Sequence, residues 1–130
     1  MILDSSALIA VWNGEPEAAA FSIVIDEASV CRISAGTLLE AMIVADRNSD
    51  PIGGRKLDEL LSRIAVIIEP VTEEQARIGR DAYRDFGKGS RHPAQLNYGD
   101  CFAYALAKTS GEPLLFKGDD FTHTDVRPAV

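Results

Sequence analysis

Ile2-Leu3-Asp4-Ser5-Ser6-Ala7-Leu8-Ile9-Ala10-Val11 is the stretch that decides the fold. A short apolar run ends at Asp4, two small hydroxyl residues follow, and an apolar segment resumes. This reads as a buried strand, a turn and a short helix, with Ser5 or Ser6 as its cap. The same alternation recurs downstream. Gly14-Glu15-Pro16 breaks the pattern and opens a helix that ends near Ala28, with Pro16 suited to its first turn. Val30-Cys31-Arg32-Ile33 reads as a second strand. Ser34 caps the next helix, where Leu38, Met42 and Ala45 share one face. Asn48 to Gly54, with Pro51 and a Gly-Gly pair, reads as a loop, and Lys56 to Arg63 as a helix.

Ala65-Val66-Ile67-Ile68 is β-branched and apolar, which predicts a buried third strand ended by Pro70. Thr72 and Gln75 have the spacing of a capping box, and the helix they open runs to about Phe86. Gly87 to Gln95 reads as an exposed, mobile loop. Gly99 to Ser110 is helical in pattern and Gly111 is placed to stop it. Leu114-Leu115-Phe116 is a fourth strand, and Asp125 to Pro128 adds an edge strand. Apolar strands alternating with helices imply an α/β fold, its parallel sheet covered on both faces. Residues 1–130 fit one domain.

Composition narrows the classes. Hydrophobic residues make up 46% of the chain, enough for a packed core, and no apolar run approaches the ~20 residues of a membrane span. No signal-peptide pattern opens the chain, so a cytoplasmic location is expected. Cys31 and Cys101 lack the CxxC spacing of a zinc site and read as small buried apolar residues. The net charge of −7 argues against a simple basic nucleic-acid binder. It leaves room for a metallonuclease, whose carboxylates are gathered to hold cations.

In an open parallel sheet, ligands bind beyond the carboxyl ends of the strands. Asp4 ends the first strand, Asp119 and Asp120 follow the fourth, Asp100 opens the preceding helix, and Glu40 lies in the helix after the second strand. Glu40 and Asp100 sit among apolar neighbours, where an isolated charge is costly. A shared divalent cation would serve all of them, and an all-oxygen donor set favours Mg²⁺ or Mn²⁺ over zinc. Each acid alone also fits a cap or a surface position.

Four segments carry a family resemblance. They are Ile2 to Leu8, Ser34-Ala35-Gly36-Thr37-Leu38-Leu39-Glu40, Leu96 to Ala107 with Asn97-Tyr98-Gly99-Asp100 as its most specific part, and Leu114 to Phe121. In this order they resemble the motifs of PIN-domain nucleases, specifically VapC-type toxins of bacterial toxin–antitoxin pairs. The resemblance implies an α/β three-layer sandwich whose central, mostly parallel sheet has four or five strands, with helices on both faces. It also implies a Mg²⁺-dependent endoribonuclease (Mn²⁺ substituting), a homodimer and a neutralising VapB-type antitoxin. By resemblance, Asp4 and Asp100 are the metal ligands and Glu40 a further catalytic acid. Asp119 is favoured over Asp120 as the fourth, and Ser6 is the residue that orients Asp4 or a metal-bound water.

The RNA grip is read from charge spacing. Arg77, Arg80, Arg84, Lys88 and Arg91 form one stripe while their helix lasts. From it, Arg84, Lys88 and Arg91 are candidate phosphate contacts, together with Lys117 beside the acids. The stripe equally fits a solvated face paired with Glu73, Asp81 and Asp85. Two other functions compete. A phosphotransferase would need a second Asp two residues after Asp4, where Ser6 stands. A binding module would use the acids only at a protein interface, indifferent to metal.

Overall fold

The computed structural model describes residues 1–47 and 51–130. Its elements run β1 (Ile2–Leu3), α1 (Ser5–Trp12), α2 (Ala18–Glu27), β2 (Arg32–Ser34), α3 (Ala35–Asp46), α4 (Pro51–Ile64), β3 (Ile67–Glu69), α5 (Glu73–Phe86), α6 (Asp100–Ser110) and β4 (Leu114–Leu115). The strands form one parallel sheet in the order β3-β2-β1-β4. The expected α/β sandwich is what the chain builds.

The two-residue period of a strand sorts the core into layers. Ile2 and its register partner Leu114 face α6 and α5, packing with Ala103, Tyr104 and Ala82. Leu3 and its partner Leu115 face the other way, onto Ala7 and Ala10 of α1 and Phe21 and Ile25 of α2. A third cluster joins Leu8 and Ile33 to α3 and α4 through Leu38, Ala41, Leu57 and Leu60. Helices therefore cover both faces.

Several expectations need correction. The cap of α1 is Asp4, whose side chain accepts from the Ser6 N–H, rather than Ser5 or Ser6. The buried face of α3 is Leu38, Ala41 and Ala45, while Met42 is exposed, because α1 and α4 cover that helix from one side. Pro51 starts α4, so Pro51 to Gly54 are helical, and Asn48 to Asp50 lie outside the described residues. A methyl on Gly53 would stand 3.2 Å from the Trp12 ring, whose Nε1–H donates to the Gly53 carbonyl at 2.8 Å. The glycine thus serves close packing rather than a loop.

The third strand is displaced to Ile67–Glu69, and Ile67 and Ile68 are exposed. It lies at the sheet edge, with no helix laid over those side chains. Pro128 reaches β4 only as an isolated bridge. The 87–95 loop is anchored: Lys88 N–H donates to the Leu96 carbonyl, Leu96 N–H donates to Phe86, and Ala94 is buried. Cys31 is buried as expected, whereas Cys101 is half-buried on a groove between α5 and α6. The caps at Ser34 and Thr72 and the left-handed stop at Gly111 stand as read.

Candidate active site

The carboxyl ends of β1, β2 and β4 and the N-terminus of α6 converge on one edge. Asp4 follows β1 and is 2% exposed, and Asp100 opens α6 at 7%. Each carboxylate has one oxygen tied to a local donor. Asp4 Oδ2 accepts from Ser6 N–H at 3.0 Å and from Ser6 Oγ at 2.5 Å. Asp100 Oδ2 accepts from Asn97 N–H at 3.0 Å, and Asp100 N–H donates back to Asn97 Oδ1 at 3.0 Å. That reciprocal pair has the logic of a capping box and locks the Asn97–Asp100 turn.

The other oxygen of Asp4 is different. Oδ1 is buried and has no hydrogen-bond partner. A buried, unpaired carboxylate oxygen is costly unless something positive meets it. Its electrostatics agree. Burial pushes the Asp4 carboxyl up to about 6, against the opposing bonds from Ser6 and with a further push from Glu40. Burial likewise raises Asp100 to about 7, and the charges of Asp4, Asp120 and Glu40 add to it. Four acids thus sense one another at the same edge.

Glu40 is half-buried on α3 and accepts a hydrogen bond from Ser5 Oγ at Oε1. It lines a cleft of about 280 Å³ between α3 and α6 with Gly36, Arg47, Tyr98, Gly99 and Phe102. Asp119 and Asp120 are both exposed in the loop after β4. Of the two, Asp120 is the one whose charge acts on Asp100. Ser6 lies between two neighbours: its hydroxyl donates to Asp4 and accepts from the Lys117 N–H at 3.0 Å.

The donor set fits a hard divalent cation. It is all oxygen, it contains an orphaned buried atom, and among the described residues no ion pair neutralises Asp4 or Asp100. Among the described residues no three acid, His or Cys side chains already converge on one point. A cation would take oxygens from one or two carboxylates and keep water for the rest, as Mg²⁺ does.

The expected RNA contacts do not gather around the acids. Lys117 Nζ is bound to Glu15 and stands 3.3 Å from Glu17 Oε2, turned to the α1–α2 connection. Arg84 pairs with Asp81 at 3.1 Å and Asp85 at 3.5 Å on its own helix. Lys88 and Arg91 are exposed in the anchored loop. Cations that line the two clefts flanking Tyr98 are instead Arg47 and Arg80. Reading the sequence also passed over Ser5 and Asn97 as members of the site. The three-residue spacing of Asn97 and Asp100 was a visible signal, whereas the Ser5–Glu40 pairing spans 35 residues and leaves none.

Comparison with known proteins identifies the family. The PIN domain family matches residues 1–127. The chain is 52% identical to ribonuclease VapC28 of Mycobacterium tuberculosis over 130 residues, covering 100% of this chain and 98% of the relative. It is 46% identical to ribonuclease VapC42 of the same organism over 129 residues, 99% and 98% of the two chains. Among solved structures, M. tuberculosis VapC20, described as a sarcin-ricin loop cleaving toxin, superposes with a TM-score of 0.73 at 17% identity, over 98% of each chain. A toxin–antitoxin complex from Klebsiella pneumoniae gives 0.71 at 18%, over 95% of this chain and 92% of the other. By the family match over residues 1–127 and its identity to VapC ribonucleases, the chain belongs to the PIN domain family and, within it, to the VapC ribonucleases.

Proposed function

We propose that this chain, over residues 1–130, is a cytoplasmic Mg²⁺-dependent endoribonuclease toxin, with Mn²⁺ able to substitute, held in check by a VapB-type antitoxin. PIN-domain nucleases work with divalent metal ions. The observation that carries the assignment here is the pair of buried acids, Asp4 and Asp100, with Asp4 Oδ1 unpaired. Asp4 and Asp100 would hold the cation. Bound there, it supplies charge neutralisation at phosphorus and a more acidic water.

The remaining work falls to the chain. Ser6 and the backbone N–H of Asn97 fix the orientation of the two carboxylates that would hold the metal. Glu40, with Oε1 occupied by Ser5, offers Oε2 to take the proton of the attacking water. The P–O3′ bond breaks and the departing oxygen takes a proton from solvent water, leaving a 5′-phosphate and a 3′-hydroxyl. Asp119 and Asp120 both follow β4 as candidates for the fourth acid, and the charge of Asp120 acting on Asp100 favours Asp120. RNA phosphates would meet Arg47 and Arg80 beside the clefts, with Lys88 and Arg91 farther out.

Three further points support the reading. No helix among the described residues is long and apolar enough to cross a membrane. The relatives carry VapC names, and one fold neighbour was solved as a toxin–antitoxin complex. Leu39, Ile43, Val71, Tyr83 and Tyr98 are exposed large apolar side chains on or beside α3, α5 and the turn before α6, a face suited to a second copy. Mapping RNA 5′ ends after brief expression, wild type against Asp100→Asn, tests the assignment. New 5′-phosphate ends are expected with the wild type and Mg²⁺ and none with the variant. Undiminished cleavage by pure Asp100→Asn, or by wild type in excess chelator, overturns it.

A further inference from the structure

Glu40 is reached by two features that belong to other elements. Ser5, the first residue of α1, donates its hydroxyl to Oε1. Gly99, immediately before α6, lies under Oε2: a Cβ built there would collide with that oxygen and stand 2.8 Å from Cδ. The backbone does not ask for glycine at this place. Gly99 has φ −61° and ψ −37°, ordinary right-handed helical values. Alanine adopts such a conformation without strain. What a side chain there would displace is the carboxylate above it.

Glu40 also needs holding. Its charge acts on both Asp4 and Asp100, so repulsion would drive a free glutamate outward from the site. The cleft between α3 and α6 is open to water and offers room for that departure.

We propose that Ser5 and Gly99 form a seat for Glu40, acting as positioning residues that hold this carboxylate against Asp4 and Asp100. The seat rests on the acidic-site reading above. It predicts a specific coupling. Gly99→Ala unseats Glu40 and should lower kcat about as much as Glu40→Ala does, on the order of 10–100-fold, with KM for RNA unchanged. In a Glu40→Ala background the same methyl meets empty space and should cost nothing further. Ser5→Ala should lower kcat about 10-fold, and Ser5→Thr, which restores a hydroxyl, should recover it.

The test is the four-member cycle of wild type, Gly99→Ala, Glu40→Ala and the double variant. Three quantities are read for each: single-turnover cleavage of an RNA oligonucleotide, Mn²⁺ affinity by calorimetry, and metal-free melting temperature. Gly99→Ala should lower the melting temperature only when Glu40 is present. Should Gly99→Ala fail to fold, a folded double variant supports the seat and an unfolded one overturns it. Equal losses in both backgrounds mark a glycine needed for packing alone and overturn the proposal, as does wild-type behaviour of Gly99→Ala. Wild type that neither binds Mn²⁺ nor cuts RNA removes the nuclease reading instead. The melting cycle then still decides the seat.

Discussion

Asp4 serves two structures with one carboxylate. Oδ2 caps α1, and Oδ1 is left bare at the site. Together with Asp100 it makes metal-free stability depend on pH. Both carboxyls bind a proton more tightly in the folded chain, at about 6 and about 7, than at the unfolded carboxylate value of ~4. Across that window the folded state holds more protons, so stability is greatest below it and falls as pH rises through the folded values. The metal-free protein should melt higher at pH 5 than at pH 8, and Mn²⁺ should raise the melting temperature more at pH 8. Differential scanning calorimetry checks both, and a flat profile contradicts the burial argument. Asp4→Asn keeps a side-chain oxygen for the α1 cap but removes the buried charge. At pH 8 it should stabilise the metal-free protein by on the order of 2 kcal/mol while abolishing the response to Mn²⁺. Asn97→Ala removes the acceptor for Asp100 N–H and should cost about 1 kcal/mol in urea unfolding, with Asn97→Ser recovering most of it.

At the scale of elements, the separation of α3 and α6 sets the distance between Glu40 and Asp100. Gly36 makes that spacing close: a methyl there would lie 2.5 Å from Phe102 Cδ1. Gly36→Ala should therefore push the two helices apart, lowering stability by about 1–3 kcal/mol in denaturant titration and slowing cleavage as well. Much of this layout was legible in the residues. The paired breaks at Asp4, Ser34 and Gly111 are local chemistry, and caps declare themselves within three or four positions. The placement of Asp4 at the end of β1, on the sheet edge that the N-terminus of α6 also reaches, followed from the parallel-sheet rule. Ile67 and Ile68 misled because an apolar β-branched run looks the same at an edge as in the middle of a sheet. Only strand order distinguishes them. Gly53 misled because a glycine that admits an indole ring resembles one that bends a loop. Ser5 and Gly99 meet Glu40 across long stretches of chain, which no local pattern encodes.

The whole molecule presents an acidic chain with a concentrated apolar face. Ile43 is 50% exposed on α3, beside Leu39 and close to Tyr98. If a second copy covers this face, Ile43→Glu should yield a monomer by light scattering, with the secondary structure unchanged by circular dichroism. A variant that stays dimeric rules this face out. The sheet order carries one more consequence. β1 lies between β2 and β4, so one of the two strands that flank it is the last to be made. Asp4 N–H donates to the Leu115 carbonyl, and Ser6 receives its bond from Lys117. A chain still emerging from the ribosome holds Asp4 and Glu40 early, yet has neither the strand that fastens Asp4 nor Asp120. Such non-local closure comes late in folding. On the proposed set of acids, a nuclease built in this way stays inert beside the RNA of the machine that makes it until synthesis is nearly complete.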